Sequence, residues 1–173
     1  MNYVELKPFE YSDDMELLCE WCQKEHVYQW FEQRKLSKEE LYMKYQKKME
    51  DGGQHLYIIL YRHQKIGFMQ YYLSDYKTDS SKKLIEYDLF IGEEDYLHKG
   101  YGVSIISFIN QFIFQKEKVD CILLRVFLRN TIAIHCYEKS GFHKLDQYQG
   151  VNTIGEEESI CVYHISKEDC FVD

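Results

Sequence analysis

IEYDLFIGEEDYLHKGYGVSIISFIN, residues 85–110, is the stretch whose reading decides the fold. Glu86, Asp88 and Phe90 alternate with Tyr87, Leu89 and Ile91, the period-2 pattern of a strand. A polar loop follows, then Gly100-Tyr101-Gly102, then an apolar run that reads as a helix. Strand, glycine-bearing turn and helix in that order aim backbone N–H groups at one point. The first turn of a helix leaves N–H donors unsatisfied at the positive end of its dipole, so it suits a phosphate. Glycines there let the backbone approach an anion closely. An ordinary turn before a helix has the same local pattern, so the G-x-G gains meaning only from what surrounds it.

Outward from this stretch, 173 residues with 45% hydrophobic content predict one domain, 1–173, with a normal core. A single proline and nine glycines argue against long linkers. The Met-Asn-Tyr-Val-Glu start has no basic-then-apolar pattern, and the longest apolar run, 103–114, is interrupted by Ser104, Ser107, Asn110 and Gln111. The expectation is a soluble, cytoplasmic protein without a membrane partner. A net charge of −8 disfavours nucleic acid and favours a cationic partner, although most acidic proteins are simply soluble. The sequence is compatible with a homodimer.

Cys19 and Cys22 form a C-x-x-C, but no second pair completes a zinc site, and the histidines are scattered. No metal is expected. The segment around the two thiols looks helical, which predicts reduced, mostly buried cysteines.

Residues 3–9 read as a strand ended by Pro8. Asp13 with Glu16 predicts a capping box opening a helix that carries Leu17, Leu18, Trp21 and Cys22. That helix is expected to give way around 26–31 to a loop bearing Trp30 and Phe31. Ser37 and Glu40 predict a second capping box, with Leu41, Tyr45 and Met49 at helical spacing and Asp51-Gly52-Gly53 as the stop. Residues 55–61 and 66–73 predict a hairpin across 62–65, and 74–83 a polar, mobile connection. Residues 121–127 (CILLRVF) predict a buried strand, 130–140 a helix stopped by Gly141, and 142–145 and 159–165 the last strands, separated by an acidic loop, 147–158. The order predicts an α/β or α+β fold with one mixed sheet.

Two blocks stand in a telling order: His98-Lys99-Gly100-Tyr101-Gly102 after a strand, and Leu124-Arg125-Val126 leading to Asn130, Ala133, Tyr137, Gly141 and Phe142. Together they resemble the GNAT family of acyl-CoA-dependent N-acetyltransferases over nearly the full chain. One departure is Leu97, where that family often has Gln or Arg three residues before the first loop glycine. Asp88 in DLFIGE, the run IAIHCYEKSGF, and Glu20-Trp21 followed by His26-Val27 and Trp30-Phe31 look more narrowly like the aminoglycoside 6′-N-acetyltransferases, and with them antibiotic resistance.

The resemblance implies a mostly antiparallel sheet with a splay between two central parallel strands, and acetyl-CoA as co-substrate. It implies that His98, Lys99, Gly100, Tyr101, Gly102 and Val103 hold the pyrophosphate, and that pantetheine runs beside Phe90 and Ile91 like an added strand. A backbone N–H there would stabilise the oxyanion. Asn130, with Ala133, would cap its helix and bond the pantetheine. Asp88 is the candidate base for the acceptor amine, the plain alternative being a solvated strand carboxylate. Tyr137 is the candidate proton donor to the leaving thiolate, against simple helix packing. Glu86, two residues from Asp88, is a candidate acceptor-binding carboxylate with an ion pair as its rival reading. Trp30, Phe31 and Tyr72 are candidates for an aromatic acceptor cleft, core packing being an equal rival. Expected function is acetyl transfer to a small cationic amine, first an aminoglycoside. The alternatives are acetylation of a protein N-terminus, lysine or polyamine, and a non-catalytic CoA-binding module.

Overall fold

In the computed structural model, which describes residues 3–76 and 82–171, seven strands form one mixed, mostly antiparallel sheet flanked by helices. The elements are β1 (Val4–Pro8), α1 (Tyr11–Cys22), α2 (Glu25–Phe31), α3 (Lys38–Asp51), β2 (Gln54–Tyr61), β3 (Gln64–Leu73) and β4 (Leu84–Ile91). A 3₁₀ turn (Glu94–Tyr96), α4 (Tyr101–Lys116), β5 (Cys121–Phe127), α5 (Thr131–Lys139), β6 (His143–Val151), β7 (Glu157–Ser166) and α6 (Lys167–Cys170) complete the order. The sheet runs β1-β2-β3-β4-β5-β7-β6. Its parallel pair, β4 and β5, is in register over Leu84↔Cys121, Ile85↔Ile122 and Glu86↔Leu123, whereas β5 pairs with antiparallel β7 along its whole length. Two compact units divide the chain, Met1–Tyr72 with Asp88–Leu97, and Leu73–Tyr87 with His98–Asp173, and β4 enters both.

The first unit is built on a buried cluster that includes Met15, Leu18, Trp21, Leu41, Tyr45, Ile58, Phe68 and Phe90. Ser37 and Glu40 close the predicted capping box, and Gly52 takes the left-handed conformation that ends α3. The other expected cap does not form. Helix α1 starts at Glu10 without a side-chain cap, and Asp14, not Asp13, is the structural carboxylate. Asp14 is wholly buried and accepts from Glu10 N (2.9 Å), Lys7 Nζ (2.9 Å) and Lys65 Nζ (2.6 Å). Burial pushes its carboxyl up, but Lys65, the Glu10 amide and Lys7 together hold it below the ordinary value. Lys7 on β1 and Lys65, 51 positions beyond Asp14, thus decide which carboxylate is used.

Further corrections concern 26–31, Met49, Pro8 and the hairpin. Residues 25–31 are the helix α2 rather than a loop, with Val27 as its buried anchor. Met49 sits at helical spacing but is exposed. Pro8 lies within β1, paired with Tyr57, which an edge strand tolerates because its outer N–H positions need no partner. The hairpin turn is two residues long: Tyr61 pairs with Gln64, and Arg62 and His63 both have positive φ, as a type I′ turn demands.

Cys19 and Cys22 point into the buried cluster, and burial pushes their thiols up to about 11 and about 12. All six cysteines are free. In the folded protein at pH 8, iodoacetamide is expected to label half-buried Cys136 and Cys170 well before Cys19 and Cys22, with urea abolishing the difference. Peptide mass spectrometry reads the order, and Cys22 labelling as fast as Cys136 would show that the α1 thiols reach solvent.

In the second unit, α4 buries Ile105, Ile106, Ile109, Ile113 and Phe114 at helical spacing. β5 is apolar as expected, and Leu84, Cys121, Leu123 and Val162 form a buried cluster. The expected loop 147–158 is shorter: β6 continues to Val151, paired with β7 as far as Val151↔Glu157. As an outer strand with mostly exposed residues, β6 carries no apolar alternation to betray it. The remaining bend is held by Asn152, whose Oδ1 accepts from Ile154 N and Glu156 N. In the connection expected at 74–83, residues 77–81 lie outside the described residues. Ser74 donates its amide to Leu84 O, and Asp75 and Tyr76 bond Arg125 and Asp146.

Candidate active site

Asp88 lies half-buried on β4 in the first unit. Gln70 and Tyr72 are two apart on β3, so both present side chains to one face of the sheet. Gln70 Nε2 donates to Asp88 Oδ2 at 2.9 Å, and Tyr72 OH donates to the same oxygen at 3.3 Å. Oδ1 carries neither bond. A carboxylate held by two donors on one oxygen is fixed in orientation while its second oxygen stays available as an acceptor.

The strand beyond Asp88 is held at close quarters. A Cβ on Gly67 would stand 2.3 Å from Phe90 O, so only glycine lets β3 come this near. A Cβ on Gly92 would stand 2.2 Å from Trp21 Cγ. Trp21 Nε1 donates to Glu93 Oε1 (2.7 Å) and Lys24 Nζ to Gly92 O (2.9 Å). His26 Nε2 lies 3.2 Å from Ile91 O, and because a carbonyl only accepts, that nitrogen carries the proton. Phe90 packs edge-on against Phe31 with centroids 4.9 Å apart, and Phe31 meets Phe68 as well. Phe31 therefore serves the core. Trp30 is half-buried on α2.

In the second unit, Gly100 is the N-cap of α4 at φ 80, and no side chain caps that end. His98 also has positive φ, and His98, Lys99 and Gly100 are exposed. Tyr101, Gly102 and Val103 form the half-buried first turn. A Cβ on Gly102 would stand 3.3 Å from Cys136 Sγ on α5, tight enough to force a shift. A pyrophosphate fits this turn: an uncapped helix start of 16 residues, entered through a left-handed glycine, with a lysine beside it. Asn130 caps α5, its Oδ1 accepting from Ala133 N at 3.2 Å. Tyr137 is half-buried, its ring 6.1 Å from Phe142 and 6.3 Å from Tyr163. None of the α5 residues is fully buried, although Ala133, Ile134, Cys136 and Tyr137 share its apolar side.

Glu86 is 2% exposed. It accepts from Arg125 Nε at 2.5 Å and Nη2 at 2.8 Å, and from Ser74 Oγ at 3.1 Å. Arg125 also reaches Asp75 at 2.9 Å. The bond to Glu86 raises the guanidinium pKa above its ordinary value. So engaged, Glu86 has no carboxylate oxygen left over for a cationic acceptor.

The candidates thus gather in separate groups: Asp88 with Tyr72, Phe90 with Phe31, Gly102 with Cys136, and Asn130 with Ala133. Gln70 was not anticipated, nor was Lys48, which bonds it. The alternation of Gln70 and Tyr72 was a usable signal, whereas nothing local marks Lys48. Among the described residues no group of three or more His, Cys, Asp or Glu is placed to hold a metal ion, and no helix is long and apolar enough to cross a membrane.

The profile of the acetyltransferase (GNAT) domain matches residues 10–149, a span that takes in Asp88 and Tyr137. Among solved structures, the chain is similar to the aminoglycoside acetyltransferase AAC(6′)-Ib in complex with coenzyme A and kanamycin. The identity is 20%, 96% of each chain is covered and the TM-score is 0.79. It is also similar to spermidine N-acetyltransferase from Vibrio cholerae, solved with CoA and spermine, at 17% identity over 99% of this chain and 100% of that one, TM-score 0.81. A third likeness is an uncharacterized protein of Bacillus halodurans, at 19% identity over 96% and 86% of the two chains, TM-score 0.83.

Proposed function

Because the chain belongs to the GNAT family of acetyltransferases, we propose that it moves the acetyl group of acetyl-CoA to a primary amine of a small polycation, first an aminoglycoside or similar aminosugar. The observation that carries this reading is the Asp88 carboxylate, oriented through Oδ2 by Gln70 and Tyr72 with Oδ1 bearing neither bond. An amine is protonated at neutral pH and becomes a nucleophile only after losing a proton. Asp88 attracts the ammonium and takes that proton, directly or through one water.

Bound acetyl-CoA supplies the thioester acetyl group. The backbone of His98 to Val103, with Lys99, receives its phosphates, and Asn130 and Ala133 line α5 beside the pantetheine. A backbone N–H at Phe90 or Ile91 steadies the oxygen as the C–N bond forms. Tyr137 returns a proton to the sulfur as the C–S bond breaks. Trp30 and Tyr72 offer aromatic faces and a hydroxyl to the acceptor. The reading treats 1–173 as one catalytic domain working in the cytoplasm, where acetyl-CoA is found.

A polyamine acceptor is the second reading, supported by likeness to the spermidine enzyme over 99% of this chain. Thiol release from acetyl-CoA across kanamycin-type aminoglycosides, spermidine, spermine and a peptide separates the two. Fastest turnover on an aminoglycoside supports the first, and turnover on polyamines alone replaces it with the second. A protein that gains thermal stability from acetyl-CoA but acetylates nothing would leave only a CoA-binding module.

A further inference from the structure

Gln70 is buried at 5% exposure, and its amide joins two charged groups. Lys48, on α3, donates from Nζ to Gln70 Oε1 at 2.7 Å, while Gln70 Nε2 donates to Asp88 Oδ2 at 2.9 Å. An ammonium has donors and no acceptor, so it can face only the oxygen end of the amide. The nitrogen end is thereby turned towards the carboxylate. With Lys48 gone, the buried Gln70 Oε1 loses its donor and the amide is held at its Asp88 end alone, so its grip on the carboxylate loosens.

Lys48 is itself held in place. Its ammonium lies 5.2 Å from the centroid of the Tyr45 ring, a cation–π contact. Burial and Lys44 push it down to about 8, while Asp88, Glu32 and Cys22 act in the opposite direction. These groups come from α1, α3, β4 and the end of α2, and Lys44 is itself tied to Glu32.

We propose that Lys48 is a positioning residue for acetyl transfer: through Gln70 it fixes the carboxylate of Asp88 so that Oδ1 is the oxygen left to the acceptor amine. This rests on Asp88 being the base, as argued above. Lys48 and Gln70 act through Asp88, so their removal matters only while Asp88 is a carboxylate.

The test is steady-state kinetics on the best amine of the panel for Lys48→Met, Gln70→Met, Asp88→Asn and the pair Lys48→Met/Asp88→Asn. Thermal melts and acetyl-CoA affinity accompany each. Lys48→Met is expected to lower kcat about 10-fold with acetyl-CoA affinity unchanged, less than the roughly 10²-fold that a reacting group displaced by about 1 Å can cost. Added to Asp88→Asn it is expected to change kcat by less than about 2-fold, because residues acting as a unit are not additive. Gln70→Met removes the same link and must show the same loss and masking, which keeps the inference open to refutation if Lys48→Met does not fold. A full multiplicative loss in the double variant, or normal kcat in Lys48→Met beside a slow Asp88→Asn, overturns the inference and leaves the base reading standing. Normal kcat in Asp88→Asn overturns both.

Discussion

Asp88→Asn is expected to lower kcat on the acceptor amine by roughly 10²-fold or more, the contribution of a positioned general base. Asparagine keeps an oxygen that can still accept from Gln70 Nε2 and Tyr72 OH, so the substitution removes basicity and charge while preserving the local bonds. The thermal shift produced by acetyl-CoA is expected to equal that of the parent, because the residues proposed to hold the phosphates, His98 to Val103, do not include Asp88. Kinetics and melts together separate a lost base from a lost fold. An undiminished kcat would remove Asp88 from the mechanism.

Arg125→Met is expected to destabilise the protein by about 3 kcal/mol, at the low end for breaking a buried pair because Arg125 is partly exposed. It leaves Glu86, at 2% exposure, with Ser74 in place of a guanidinium fork. The cost arises from the stranded charge, so Glu86→Leu in the same chain is expected to recover most of it. Urea titrations of both single variants and the pair measure the coupling. A double variant no more stable than Arg125→Met would mean that the pair is not what the arginine stabilises.

Much of this arrangement was legible in the chain. The alternation of β4, the glycines at 100 and 102, the Asn130 cap and the Ser37–Glu40 box are local patterns, each satisfied within a few residues. What escaped is set by partners far away. Asp14 was chosen over Asp13 with Lys65, 51 positions on, and the ion pair that was the rival reading for Glu86 is made with Arg125, 39 positions on. The helix α2 has one fully buried residue and so shows little amphipathic signal, while β6 exposes both faces and shows none. Gln70 and Lys48 acquire their significance only when β3 and α3 are brought together.

The tight fit of Gly67 against the Phe90 carbonyl, and of Gly92 against the Trp21 ring, also bears on how such a protein diversifies. Each of these glycines meets backbone or a fully buried ring, so a side chain there would have to displace the β4 backbone or the Trp21 ring. Trp30 and Tyr72 are half-buried, and Tyr72 is also tied to Asp88 through its hydroxyl. With the acceptor cleft proposed above, substitution at Trp30 is therefore expected to alter acceptor preference while leaving both bonds to Asp88 in place.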